Sequence, residues 1–476
     1  MTTPDEVQTR GPFVAEYSGV GRFTYADGRL SENYSFWTGQ AHNGKVFISF
    51  DENALNALID LDSHLASFSG MTDSGLNLKT CGPLLVTDRC ILLMEVKYRI
   101  IVLASEIRLT VAEPRDITSV RYGLTNLLFC GTKMRQLEPW HWQRVLPLKL
   151  DYQRKSVAGY ICMLPNYTST SRTLGAVGGV QATTELVIDL SLSETTSDSC
   201  DRIADVLCRV LSVARGTHIA WIYKTSLDST GNPVTHVHSN NVTRNYHHLQ
   251  LLSDNLEDAE PTRRFTETTF PVYLVRSSQY MLDGVSTDTY LEAKSAEGSL
   301  EMRALKAAVA MEMLAARHSC SCVPQQRGQI VDTTVFEGPT EELTNGICDI
   351  DLRATDEKKQ AKRVAERDRV CGVVQCSLSE RIRQMWKYIG LHRPSRDAEN
   401  FARSRNCLAH TGRFACSPEN RAASHGRNVP WSTPVEEYGF LVSLLDRTIL
   451  RILNYDGPYI DWRRLDHYER RMHVND

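Results

Sequence analysis

The hydrophobic pattern of this 476-residue chain changes its period near residue 290. Before that point, short segments rich in β-branched and aromatic residues are bounded by Gly, Asn, Ser or Pro, which indicates strands. These segments lie at 45–50, 88–105, 117–129, 185–192, 218–225 and 270–277. After that point, apolar residues recur at intervals of three and four, which indicates helices. We therefore predict an α+β chain in which a mostly antiparallel β-rich domain, of one or two sub-domains, occupies residues 1–280. An all-α domain follows at 290–476.

The predicted helices have recognisable ends. One helix, at 199–216, is expected inside the β-rich part, with Gly216 at its C-cap. Later helices are predicted over 299–319, 351–370, 377–390, 395–412 and 434–457. Ser377 and Glu380 have the spacing of a capping box, which supports a helix beginning there. The segment 351–370 is charged nearly all round and predicts a solvated helix.

Composition and motifs exclude several classes of protein. The formal net charge is −3, so any anion-binding surface has to be a local patch. The most apolar stretch, 90–104, contains three charged residues and is too short to cross a bilayer. The first residues, MTTPDEVQTRGPFVAEYSG, contain no basic region followed by an apolar run, so we expect a cytoplasmic protein without a membrane segment. The thirteen cysteines lack zinc-knuckle spacing, and phosphate-loop and hydrolase motifs are missing, so neither a metal nor a cofactor is expected.

One polar group remains as a candidate site, within the segment RSRNCLAHTG at 403–412. Each residue of an ideal helix turns by about 100°. Asn406 and His410 therefore share a face, as do Arg403 and His410, while Arg405 lies off that face. A guanidinium, an amide and the side chain that titrates near neutrality are thus gathered within two turns. This predicts either a helix end decorated with polar groups or a site that handles phosphate.

Over residues 295–465 the chain resembles HEPN domains, which carry an arginine and a histidine with four to six residues between them on a late helix. The version RN-x3-H-T-G, followed by an apolar helix ending in ILNYDGPYIDW, is similar to the ApeA-like subgroup. Arg405 and His410 take the places of the family's arginine and histidine, and Asn406 that of the polar residue between them. Glu312 stands where many such domains have an acidic residue on their first helix, and Arg403 is a supporting residue.

The resemblance implies an endoribonuclease that works without a metal, at a site shared by two protomers, in anti-phage defence by abortive infection. RNA supplies its own nucleophile, the 2′-hydroxyl, so a histidine can move the protons. Arg405 would stabilise charge on the phosphoryl oxygens and Asn406 would orient His410. The partners expected are RNA, with tRNA among the candidates, and a second copy of the chain in a homodimer or larger homo-oligomer. A phage component is expected to trigger the β-rich domain.

The segment after the candidate site also suits RNA. Six arginines stand against three acidic residues between 395 and 430, and three of them, Arg413, Arg421 and Arg427, follow the motif. Residues 411–431 are predicted to form a polar loop that tracks a phosphate backbone. Phe414 and Trp431, at its ends, are expected to stack on unpaired bases. A plain solvated loop between two helices fits the same residues.

Two other interpretations stay open. Arg405 and His410 could only complete the end of a helix, where the helix dipole favours cations. The protein would then be a catalytically silent RNA- or protein-binding adaptor. A weaker interpretation places a carbohydrate-processing site in the β-rich domain, although no convergent pair of carboxylates supports it.

Overall fold

The computed structural model describes residues 14–462 and 470–471, with internal gaps. The residues inside that span that are not described are 26, 52–64, 93–96, 114, 130, 139–140, 166, 194, 242–245, 247–248, 253–258, 328–376, 394 and 424–428. The chain divides into two compact units. Unit 1 comprises residues up to Leu274 together with 458–460, and unit 2 comprises 275–457 with the residues from Asp461 onward. Within the described ranges, none of the helices is both long and apolar enough to cross a membrane.

Unit 1 is built mainly from strands. They are β1 (Ala15–Tyr25), β2 (Tyr34–Gln40), β3 (Val46–Asp51), β4 (Leu65–Thr72), β5 (Asn77–Leu92), β6 (Lys97–Thr110), β7 (Ser119–Thr125), β8 (Lys133–Glu138), β9 (His141–Tyr152), β10 (Lys155–Met163), β11 (Ala182–Asp189), β12 (Trp221–Leu227), β13 (Pro233–Ser239) and the short β14 (Pro458–Tyr459). A further short strand, β15 (Arg470–Arg471), belongs to unit 2. The strands predicted at 45–50, 117–129, 185–192 and 218–225 are confirmed as β3, β7, β11 and β12.

Thirteen of these strands form one antiparallel sheet, in the order β3-β2-β1-β4-β5-β6-β13-β12-β7-β11-β10-β9-β8. Because β3 also pairs with β6, the first six strands close into a barrel. Its interior holds the aromatic rings of Phe23, Phe50 and Phe68, whose centroids lie 5.0 Å apart. Alternate side chains therefore face this core, as the period of two predicts.

Helices α1 (Tyr167–Val177) and α2 (Ser197–Arg215) accompany the sheet of unit 1. The helix predicted at 199–216 is α2, and its apolar stripe of Ile203, Val206, Leu207 and Val210 is buried. Gly216 follows with a φ of 61°, the left-handed conformation that a C-cap glycine adopts. The sequence prediction for this helix is confirmed.

The strand predicted at 270–277 is wrong. These residues belong to helix α3 (Glu260–Tyr280), which contains Pro271. Its buried stripe recurs every three or four residues but consists largely of hydroxyl side chains: Thr262, Thr266, Thr269, Tyr273, Ser277 and Tyr280. Thr266 and Thr269 each donate a hydrogen bond of 2.8 Å to the carbonyl four residues earlier. The residues that mark the helical period are thus mostly polar, so an apolar pattern did not reveal the helix. Val275, one of the residues that suggested a strand, is 77% exposed.

Unit 2 is helical. After the end of α3 it contains α4 (Val285–Lys294), α5 (Leu300–Arg327), α6 (Leu378–Tyr388), α7 (Ser395–Thr411), α8 (Pro418–Ala423) and α9 (Pro434–Ile452). Helix α5 packs against α4, α6, α7 and α9. The helices predicted at 299–319, 377–390, 395–412 and 434–457 are confirmed, and the Ser377 hydroxyl accepts from the backbone N–H of Glu380 as its capping position requires. The segment 351–370 lies outside the described residues.

Helix α9 is buried on nearly all sides, and three of its charged side chains, Glu437, Asp446 and Arg447, are buried with it. Asp446 accepts a hydrogen bond of 2.8 Å from Lys294, and both side chains are fully buried. Arg447 lies 3.4 Å from Asp461 and is also buried. A helix that is enclosed all round usually carries only apolar side chains, so each of these charges needs its partner.

A buried polar network in unit 1 involves His238 on β13. Its Nδ1 donates to the side-chain oxygen of Gln40 at 2.9 Å, and its Nε2 accepts from the Tyr17 hydroxyl at 3.2 Å. The orientation of the Gln40 amide follows from its nitrogen, which donates to the carbonyls of Ile222 and Ser239. The network needs neutral imidazole, and burial lowers the pKa of His238 to about 3.

The stability of unit 1 is therefore expected to fall as the pH falls. A histidine whose folded pKa is below its unfolded value binds more protons when unfolded, so its contribution is lost below the unfolded pKa of about 6.5. The loss should be about 1.4 kcal/mol per pH unit, or about 2 kcal/mol between pH 7 and pH 5. Urea unfolding of the wild type and of His238→Gln at several pH values measures this loss. The contributions of all other titrating groups are the same in the two proteins and cancel in the comparison. Equal pH slopes for the two proteins would contradict this assignment.

Candidate functional site

The candidate site lies on α7, whose burial pattern fixes its orientation. Ala398, Phe401, Ser404 and Leu408 form the buried stripe. Asn406 and His410 are exposed, and Arg403 and Arg405 are half-buried. The helix ends at Thr411, and Gly412 adopts a φ of 66°, which suits a glycine C-cap. His410 thus lies in the last turn, where the helix dipole favours a positive charge.

Arg405 is held by Glu312, which projects from α5. Its Nε and Nη2 atoms both lie 2.9 Å from the same carboxylate oxygen of Glu312. Its third nitrogen, Nη1, donates to the Asn406 side-chain oxygen at 3.3 Å. The Arg405 and Glu312 side chains are 28% and 29% exposed, so the ion pair stands at the surface. The structure therefore brings together three of the residues that the sequence singled out.

His410 stands apart from this group within one chain. In the described ranges, no hydrogen bond or ion pair joins it to Arg405 or to Asn406. Because the Asn406 oxygen accepts from Arg405, the amide supports the arginine, whereas the sequence analysis expected it to orient the histidine. The imidazole is exposed and open to an external group.

The arginines that follow the motif have structural contacts. Arg413 forms an ion pair of 2.5 Å with Glu419, and both side chains are more than half exposed. Arg421 donates to the backbone carbonyl of Trp431 at 2.6 Å. Arg427 lies outside the described residues. The two described arginines therefore help to organise the segment between α7 and α9 while keeping part of their surface accessible.

The expectation that Phe414 and Trp431 stack on bases is wrong. The two side chains are only 2% and 6% exposed. Trp431 packs against Phe440 of α9, with ring centroids 4.8 Å apart. The segment also contains the short helix α8, so it is not the open loop that was predicted. Both aromatic residues contribute to the core because their rings bury more apolar surface than the rest of this polar segment.

Glu437, which belongs to none of the predicted sites, anchors the end of α7. This fully buried carboxylate on α9 accepts hydrogen bonds from the Ser404 hydroxyl and from the backbone N–H groups of Ala415 (3.0 Å) and Cys416 (2.9 Å). One signal could have revealed it. Glu437 lies three and four residues before Phe440 and Leu441, which places a carboxylate on the apolar stripe of the helix.

Cys416, whose backbone N–H donates to Glu437, carries a thiol at this end of α7. Burial, together with its hydrogen bond to Glu437, raises the pKa of this thiol to about 12. The thiolate is the reactive form of cysteine, and it is scarce at pH 7. The chemistry available at this end of α7 is therefore that of the arginine and the histidine.

Comparison with known proteins adds no family. No protein-family model, curated protein or solved structure matches this chain.

Replacing Glu437 should destabilise unit 2. In Glu437→Gln the charge-assisted hydrogen bonds to Ala415 and Cys416 are lost and the amide group faces two backbone donors, so we expect a loss of about 2–3 kcal/mol. Urea unfolding measures the loss, and hydrogen exchange should show faster exchange of the Ala415 and Cys416 amides. Glu436→Gln is the matched control. Its carboxylate also accepts backbone hydrogen bonds, from Ser432 and Thr433, but it is exposed to water, so its loss should cost about 1 kcal/mol or less. Equal effects of the two changes would contradict the anchoring role.

Proposed function

We propose that this protein is an endoribonuclease that cleaves RNA by attack of the 2′-hydroxyl on the adjacent phosphate. The observation that carries the proposal is the exposed imidazole of His410 on the same helix as Arg405, whose guanidinium Glu312 holds at the surface. A histidine and an arginine are the two side chains that this reaction needs. The resemblance of the segment 403–412 to the HEPN motif supports the same chemistry.

The reaction is a transfer within the RNA strand. The 2′-oxygen forms a bond to phosphorus and loses its proton to a neutral imidazole, while the bond from phosphorus to the 5′-oxygen breaks. An imidazolium gives a proton to that departing oxygen. The products are a 2′,3′-cyclic phosphate and a 5′-hydroxyl. Arg405 donates to the phosphoryl oxygens, where negative charge develops. DNA lacks the 2′-hydroxyl and is not cleaved.

A second copy of the chain completes the proposed site. One histidine cannot conveniently serve as both base and acid in the same step, and the structure leaves His410 apart from Arg405 within one protomer. Two copies related by a two-fold axis supply two imidazoles and two guanidinium groups. The active species is therefore proposed to be a homodimer or a larger homo-oligomer built on it.

The proposed cellular role is anti-phage defence by abortive infection, in which the β-rich unit responds to a phage component and the helical unit degrades RNA. This role rests on the resemblance alone. A second function, that of a silent RNA- or protein-binding adaptor, is favoured by one contact. Glu312 occupies two of the three guanidinium nitrogens of Arg405, which gives that side chain a structural role.

Cleavage of RNA by the purified full-length chain should depend on both side chains. His410→Ala should slow cleavage by about 10²–10⁴-fold through loss of proton transfer, and Arg405→Lys by about 10²–10³-fold through loss of the planar fork. Gel analysis with mapping of the ends should show 2′,3′-cyclic phosphates, and a single 2′-deoxy substitution at the cleaved position should block the cut. Two exposed residues of unit 2 provide matched controls, His392→Ala and Arg396→Lys. If the site variants cleave as fast as these controls, the nuclease proposal is wrong.

Induced expression in cells tests the defence role. The wild type should arrest growth or protect a culture against phage while total RNA is degraded, and His410→Ala should do neither. The measurement is growth with and without phage, beside a gel of total RNA. Protection that persists in His410→Ala without RNA cleavage would support the adaptor instead.

A further inference from the structure

A row of basic side chains crosses the outer face of the barrel in unit 1. The backbone register places Arg22 of β1 opposite Ser69 of β4, Ser69 opposite Lys79 of β5, and Lys79 opposite Arg108 of β6. Arg22, Lys79 and Arg108 are all exposed. Neighbouring strands lie about 4.8 Å apart, so the row spans about 14 Å. Three cations thus stand in line across four adjacent strands.

This arrangement is unfavourable for the sheet itself. Like charges directly opposite each other on paired strands destabilise them, and Lys79 faces Arg108 in that way. Arg108 has some compensation, because it contacts Glu106 at 3.2 Å. Within the described ranges, neither Arg22 nor Lys79 makes an ion pair. A cationic row of this kind is stabilised when an anion binds across it.

The same residues line a cleft of about 520 Å³, which is within the range of sites for small molecules. The three basic side chains are joined in the lining by the exposed apolar side chains of Val20 and Met71, which are 50% and 56% exposed. The amides of Asn33 and Asn77 also contribute. Among the described residues that line the cleft there is no carboxylate. It therefore combines groups for phosphates, a flat apolar surface and amides that can bond to the edge of a ring.

We propose that this cleft binds a nucleoside polyphosphate, with the phosphates along Arg22, Lys79 and Arg108 and the base against Val20 and Met71. A volume of about 520 Å³ suits a ligand of the size of one nucleotide. The site would give the β-rich unit a small-molecule ligand of its own. This proposal does not depend on Arg405 or His410, and it stands even if RNA is not cleaved.

Isothermal titration calorimetry of the full-length chain tests the proposal, with ATP, inorganic tripolyphosphate and a short single-stranded DNA as probes. ATP should bind most tightly, and raising the salt concentration should weaken it. Lys79→Gln should weaken ATP binding about tenfold, the effect of one lost charge-assisted hydrogen bond. Met71→Ser should weaken the binding of ATP but leave the binding of tripolyphosphate unchanged, because Met71 contacts only the base. Lys155→Gln, an exposed strand lysine elsewhere in unit 1, is the matched control.

Thermal unfolding provides an independent check. Without ligand, Lys79→Gln should raise the melting temperature relative to Lys155→Gln, because it removes the repulsion from Arg108. The proposal is overturned if ATP does not bind, or if Lys79→Gln and Lys155→Gln weaken ATP binding equally. It is also overturned if tripolyphosphate binds as tightly as ATP, or if the DNA alone binds through Lys79.

Discussion

The organisation of unit 2 depends on buried charges along helix α9. Glu437, Asp446 and Arg447 are each removed from water, and each finds its partner on a different part of the chain. Apolar contacts tolerate small rotations and shifts of a helix, whereas a buried ion that loses its partner costs several kcal/mol. Helix α9 must therefore contact Lys294, Asp461 and the backbone after α7 at the same time. These contacts fix both the rotation of α9 about its own axis and its position along that axis.

Helix α7 acquires its orientation from the same constraint. Ser404 faces Glu437 on α9, and its neighbour Arg405 reaches Glu312 on α5. Successive residues on a helix point about 100° apart, so these two contacts fix which side of α7 is turned outward. That side carries Asn406 and His410. The exposure of the imidazole is thus a consequence of packing elsewhere in the unit.

The sequence correctly predicted the helices in which apolar residues recur with the helical period and in which capping residues stand at the ends, as in α2, α6 and α9. It failed for α3, because the buried face of that helix consists largely of hydroxyl side chains, two of which, Thr266 and Thr269, bond to carbonyls of their own helix. It also assigned Phe414 and Trp431 to RNA, since aromatic residues in a polar segment look the same whether they bind a ligand or complete a core. The pairing of Arg405 with Glu312 joins residues 93 positions apart. Helical spacing along α7 gave no indication of that contact, although the family resemblance had pointed to both residues.

Strand β6 has a place in the sheet that bears on how the chain folds. Its first half pairs with β3 and its second half with β13, while β5 runs along its other edge. The barrel and the open part of the sheet thus share one strand, but β13 comes more than 120 residues after β6 along the chain. Such distant pairings form slowly, because a long loop must close first. During synthesis, the edge of β6 that β13 covers stays exposed until residue 239 has left the ribosome, and this interval is when unit 1 is most open to pairing with the wrong strand.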